Sequence, residues 1–160
     1  MALQQPLPRP VSACPDMRAA SGEFWTVVAA LEENVAHTRH LFAEWLGTVG
    51  WPAEQRDDMV LAVSEAVTNA IEHAYRPGSE GQVQLYAWDA IDAPLGQRRV
   101  VVVVSDRGRW KPAVVDRGYR GHGLAIMAAC MDSVHLEPSP GGTTVVMSSK
   151  PRRASGLRAS

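Results

Sequence analysis

The amino-acid order calls for one α+β domain, a two-layer sandwich with helices on one face of a mostly antiparallel mixed sheet. Three observations lead there. Stretches of strand and helix periodicity follow in the order β, α, α, β, β, α, β, β, without the repeated strand–helix crossovers of a doubly wound parallel sheet. The run Arg99 to Ser105 contains five consecutive valines, expected at the centre of a sheet and buried on both faces. The length of 160 residues is enough to enclose one core and not two.

Met1 to about Ala20 is rich in Pro, Ala and small polar residues without periodicity, and reads as a disordered lead (1–20) to a domain spanning 21–150. Glu23 to Val28 is aromatic and β-branched enough for the first strand. Helical spacing follows, with Leu31, Val35, Leu41, Phe42, Trp45 and Leu46 expected on its buried side. Gly47 and Gly50 break that helix, and Pro52 suits the first turn of the next. In the second helix, about Ala53 to Tyr75, a rotation of about 100° per residue gathers Val60, Val63, Val67, Ala70 and Ala74 into one arc. Glu65, Asn69, Glu72 and His73 fall on the far side, and Arg76-Pro77-Gly78 ends the helix. Strands are then expected at Gln82 to Trp88 and Arg99 to Ser105, a short helix at Leu124 to Met131, and strands at Ser133 to Leu136 and Thr143 to Ser148 around the turn P-S-P-G-G. Lys150, Arg152, Arg153 and Arg158 lie in a segment broken by Pro151 and Gly156, with 151–160 expected as a basic flexible tail.

A formal net charge of −1 offers nothing to a polyanion, so nucleic acid is not an expected partner. The two cysteines, Cys14 and Cys130, cannot build a disulfide framework and are expected as free thiols. No stretch approaches the roughly 20 apolar residues of a membrane span, and the first ten residues lack the apolar run of a signal peptide. A cytoplasmic location is expected.

The chemistry-bearing residues fall into four groups. Glu65, Asn69 and His73 are spaced i, i+4, i+8 and point nearly the same way from the second helix. A solvent-facing stripe explains such a pattern when it stands alone, but the small Ala62 and Ala66 beside it are expected to leave room for a ligand. An Asn amide oxygen suits a Mg²⁺ shell shared with phosphates, and a neighbouring carboxylate can take a proton from an attacking hydroxyl. Asp106 ends the valine strand, with Gly108 two residues on. An ionised carboxylate there accepts from an adenine amino group, a glycine lets the flat ring approach, and an ordinary strand-end turn is the plain alternative. In Y-R-G-H-G-L-A-I-M, Gly121 and Gly123 precede a helix whose free N–H groups favour phosphate, and Arg120 can pair with phosphoryl oxygens. Gly142-Thr143-Thr144 opens the last strand and is at least a hairpin turn.

The order and spacing of these four groups resemble the GHKL-type ATP-binding domains, the Bergerat fold, over roughly Phe24 to Lys150. S-E-A-V-T-N-A-I-E-H-A-Y, Ser64 to Tyr75, is similar to the Asn-box helix of the anti-sigma-factor serine kinases, the RsbW-like branch. The resemblance implies that Asn69 binds the Mg²⁺ of Mg-ATP and that Glu65 is the base activating a serine hydroxyl. It implies that Asp106 reads the adenine amino group with Gly108 beside it, and that Thr143 supports that contact. Gly121 and Gly123 match the phosphate loop, and the implied ATP-binding set extends to His73, Arg120, His122 and Leu124. A-L-E-E-N-V-A-H-T-R is similar to the family's first helix, which places Arg39 on a partner-docking arginine. Trp110 stands where the family's adenine motif has its second glycine, and Lys111 to Arg120 is short for a lid.

The implied function is an ATP- and Mg²⁺-dependent protein serine kinase that phosphorylates a STAS-type anti-sigma-factor antagonist and sequesters a sigma factor, possible as a homodimer. The alternative is an ATP-binding interaction module without phosphotransfer, which Trp110 and the short lid favour. A sensor histidine kinase would need a helical hairpin bearing a phosphoacceptor histidine, for which the chain has no room. His37 and His40 are expected as surface residues, since structural zinc wants four ligands.

Overall fold

The computed structural model describes residues 18–75, 80–92, 95–108 and 122–154. The elements run β1 (Arg18–Ala29), α1 (Glu33–Thr48), α2 (Ala53–Ala74), β2 (Gln82–Asp92), β3 (Gln97–Asp106), α3 (His122–Cys130), β4 (Ser133–Ser139), β5 (Gly142–Ser148) and β6 (Arg152–Arg153). The sheet order is β1-β2-β3-β5-β4, with β6 also pairing β3, and every pairing is antiparallel. The expected α+β class with helices and an open sheet holds. The parallel component implied by a mixed sheet does not occur among the described strands, because along the order β1-β2-β3-β5-β4 each strand runs opposite to the one beside it.

Two bounds differ from the sequence expectation. β1 starts at Arg18, inside the segment expected as lead, and pairs with β2 as far as Arg18↔Ile91 across a bulge between Ala19 and Glu23. Arg152 and Arg153, expected in a solvated tail, pair with Arg98 and Gln97 of β3. The other long edge of β3 is occupied by β2, so β6 continues beside β3 where β5 ends. Its ladder bonds offset the cost of ordering a charged pair of residues that composition alone assigns to water.

α1 ends in a Schellman motif. Gly50 takes φ +75, its N–H donates to the Gly47 carbonyl at 3.1 Å, and the Trp51 N–H reaches back to the Leu46 carbonyl at 3.0 Å. That closure needs a left-handed residue, which is why the helix breaks at this glycine. Leu46 and Trp51, both buried, give the apolar contact that accompanies the motif. Phe42, Leu46 and the unexpected Thr38 are the buried residues of α1, while Leu31 precedes the helix and is exposed. Pro52 caps α2 in an extended conformation rather than entering its first turn, and its carbonyl accepts the Arg56 N–H at 3.0 Å.

The core joins Phe42 and Leu46 of α1, Met59, Val63 and Val67 of α2, Val83, Leu85 and Ala87 of β2, alternate valines 100, 102 and 104 of β3, Met127 of α3 and Met147 of β5. All five valines of β3 are buried, as a central strand requires. Val101 and Val103 point to the opposite face, where the register sets Trp88, Tyr86 and Val146 beside them. Cys130 is a free, buried thiol whose pKa is pushed up, chiefly by burial. Among the described residues, no helix is long and apolar enough to cross a membrane.

Candidate functional site

Helix α2 is the spine of the site. Glu65 and Asn69 stand one turn apart and half-buried. The start of α3 covers them: a Cβ placed on Gly123 would lie 3.0 Å from Asn69 Nδ2, 3.3 Å from Asn69 Oδ1 and 3.3 Å from Glu65 Oε2. A side chain larger than hydrogen at this position would press on the ends of both polar groups, so the glycine lets them rest against the α3 backbone. Ala62 and Ala66 do not flank a cleft as expected; both are essentially inaccessible and belong to the core. Glu65 and Asn69 therefore face the start of α3 and not a cleft walled by those alanines. The reason is that α2 carries a wider apolar arc than five residues suggest, with Met59, Ala62, Ala66 and Ile71 joining Val63, Val67, Ala70 and Ala74.

Five residues beyond Asn69, about 7.5 Å along the helix axis, α2 meets the end of β3. A Cβ on Gly108 would lie 2.0 Å from the Ala74 carbonyl oxygen, so the D-R-G turn rests directly on the last turn of α2. Gly108 is expected to admit a planar ring. In the fold its immediate work is to admit this helix carbonyl.

Asp106 is buried, and its Oδ1 accepts the Gly108 N–H at 2.9 Å and the Thr143 N–H at 3.3 Å. Burial raises the carboxyl pKa above its ordinary value of 3.8, while the two amide bonds pull it down. Thr143 lies beside it with its Oγ1 buried and without a hydrogen-bond partner among the described residues. Gly142 makes this approach possible at φ +141, since a Cβ there would fall 1.9 Å from the Asp106 carbonyl oxygen. A buried carboxylate beside an unsatisfied hydroxyl suits a ligand that donates one N–H and offers an acceptor close by, as an adenine edge does.

The remaining expected residues divide. His122 opens α3 and is exposed, as is Leu124. Arg39 is exposed on α1, as are His37 and His40, the last within 3.4 Å of Glu44. Trp110, the lid Lys111 to Arg120, Arg120 itself, Gly121 and the His73 side chain lie outside the described residues. Among those described, no group of three or more His, Cys, Asp or Glu could hold a metal. A Mg²⁺ that arrives with phosphates asks less of the protein, and the Asn69 amide oxygen suits it as a single ligand.

An antiparallel sheet with a polar helix stripe, a strand-end carboxylate and a glycine-led helix brought together along α2 matches the architecture of an ATP-binding GHKL-type domain. The model of the histidine kinase-like ATPase domain matches residues 28–149, and the chain belongs to that family, in its anti-sigma-factor serine kinase branch. An anti-sigma F factor of Pasteuria penetrans is 32% identical over 134 residues, covering 77% of this chain and 86% of the relative. The serine-protein kinase RsbW of Bacillus subtilis is 30% identical over 135 residues, covering 75% of this chain and 80% of the relative. A crystal structure of the RsbU and RsbW domains of a Mycobacterium tuberculosis protein is similar at a TM-score of 0.61 and 29% identity, covering 86% of this chain and 35% of that longer one.

Proposed function

We propose that the chain is an ATP-dependent protein serine kinase and anti-sigma factor, which phosphorylates a STAS-type antagonist and sequesters a sigma factor. The observation that carries this reading is the seating of Gly123 against both Asn69 and Glu65, which sets the N-terminal end of α3 beside a carboxylate and an amide oxygen. Asn69 would hold the Mg²⁺ that bridges the phosphates and neutralises their charge. Glu65 would take the proton of the attacking serine hydroxyl. Asp106 and Thr143 would take the adenine edge, while Gly123, with Gly121, Arg120, His122 and Leu124, would form the phosphate end. The relatives named as anti-sigma F factor and serine-protein kinase RsbW support the substrate class and the sigma partner. Arg39, exposed on α1, is proposed as a docking residue for protein partners.

The test is incubation of the full chain with γ-labelled Mg-ATP and STAS-domain proteins from the same genome. Label on an acceptor serine supports the kinase. ATP binding without transferred label overturns the kinase and leaves an interaction module, the reading that Trp110 in place of a second glycine favours. Glu65→Gln is expected to keep ATP binding and lower transfer by about 10² to 10⁴-fold, the usual contribution of a positioned base. Asn69→Ala is expected to lose Mg-dependent binding. Transfer by Glu65→Gln at the wild-type rate removes the base assignment.

A further inference from the structure

Tyr75 closes the S-E-A-V-T-N-A-I-E-H-A-Y run, and nothing in the site described so far uses it. The residue follows α2 in extended conformation and lays its ring over the backbone of Gly81, where a Cβ would lie 2.5 Å from ring atoms. Its hydroxyl donates to the Gln82 carbonyl at 2.7 Å and accepts the Arg107 N–H at 3.0 Å.

Those two backbone groups are partners in waiting. The β2–β3 ladder ends at Val83↔Asp106, and the next pair in the same register would be Gln82 with Arg107. The tyrosine hydroxyl stands where that rung would form, taking the acceptor of one strand and the donor of the other. It satisfies both while keeping the strands from zipping one residue further. At this same point β3 leaves the sheet, Gly108 turns back to donate to Asp106 Oδ1, and the turn settles on Ala74. A direct Arg107 to Gln82 bond would draw the chain along the sheet and carry Gly108 away from the carboxylate.

We propose that Tyr75 is a positioning residue for the nucleotide, its hydroxyl a wedge in the β2–β3 ladder that holds the Asp106–Gly108 turn open toward the base. This rests on the reading of Asp106 as the adenine contact. It acts on the base end of the ligand alone, since Glu65, Asn69 and Gly123 make no use of it.

The experiment compares wild type, Tyr75→Phe and Asp106→Asn in the full chain, by calorimetry with Mg-ATP and with Mg-tripolyphosphate, which has no base, and by the KM and kcat of transfer. Loss of one hydroxyl that bridges two backbone groups is expected to weaken ATP binding about three- to tenfold. The loss should appear in KM and not in kcat, with tripolyphosphate bound as by wild type. Wild-type ATP affinity in Tyr75→Phe overturns the wedge, and so does an equal loss for both ligands, the mark of general damage. If Asp106→Asn also binds ATP like wild type, the adenine reading itself falls; if only Tyr75→Phe does, that reading stands and the wedge alone falls. Should Tyr75→Phe fail to fold, amide exchange in the wild type decides: a protected Arg107 N–H supports the bridge, and exchange at the rate of an open loop overturns it.

Discussion

At the scale of the residue, Asp106 concentrates the conflict between stability and binding. Its carboxyl pKa is raised above 3.8, with desolvation the largest cause, so the folded protein holds that proton more tightly than the unfolded chain. As pH rises from the unfolded value through the raised folded one, stability is therefore lost, and at neutral pH the buried charge is a cost. Asp106→Asn keeps an oxygen for the Gly108 and Thr143 amides and removes the charge. The ligand-free protein is expected to melt no lower than wild type at neutral pH, with the difference shrinking in acid as the wild-type carboxyl protonates. The same change should weaken ATP binding by about 10- to 100-fold, the worth of a hydrogen bond to a charged group. Thermal melts across pH and calorimetry with ATP check the two halves separately, and a clear drop in melting temperature at neutral pH contradicts the first.

At the scale of the element, the glycines show where backbone meets backbone and where it meets function. Gly142→Ala forces a side chain onto φ +141 and into the Asp106 carbonyl, both unrelievable without moving β5 away from β3. A loss of about 2 kcal/mol or more is expected, read as an earlier denaturation midpoint. Gly123→Ala differs in kind. Its Cβ would meet the ends of the Asn69 and Glu65 side chains, which can swing aside, and alanine favours the α3 helix by roughly 0.5–1 kcal/mol. Unchanged or slightly higher stability, with ATP binding reduced at least about tenfold, is the expected pair of results. Full ATP affinity in Gly123→Ala contradicts the crowding of Asn69 and Glu65 as the heart of the site.

At the scale of the whole molecule, a buried ion pair ties the far end of the sheet to the helix layer. Asp89 is inaccessible on β2 and pairs with Arg98 of β3. Arg98 also donates to the Val49 carbonyl at 2.9 Å and lies over the Trp51 ring at 5.7 Å, while Arg152 of β6 donates to the Gly50 carbonyl at 3.2 Å. Two arginines from the sheet thus hold the turn between α1 and α2, and with it the start of the helix that carries the site. Removing one partner of a buried pair leaves the other charge uncompensated, so Arg98→Ala is expected to cost about 3–5 kcal/mol. Arg99→Ala, which loses a more exposed pair with Asp132, should cost no more than about 1 kcal/mol. Equal denaturation midpoints for the two variants would falsify the clamp.

The amino-acid order by itself determined the family and every element but β6 and the start of β1. Periodicity is a local property, so the α2 face bearing Glu65 and Asn69, the buried valine strand, the break at Gly50 and the glycine-led start of α3 are written in the spacing of their residues. The S-E-A-V-T-N-A-I-E-H-A-Y run was specific enough to name the branch. What only the tertiary structure decided are the contacts between segments distant in the chain, because no local pattern records which backbone comes to rest against which. Ala62 and Ala66 have the composition of a pocket wall and the position of a core. Gly108 has the look of a ligand's glycine, and only the fold shows the Ala74 carbonyl lying where its Cβ would stand. Arg152 and Arg153 read as tail until β3 offers them an edge, and Tyr75 reads as a helix end until its hydroxyl meets two strands at once.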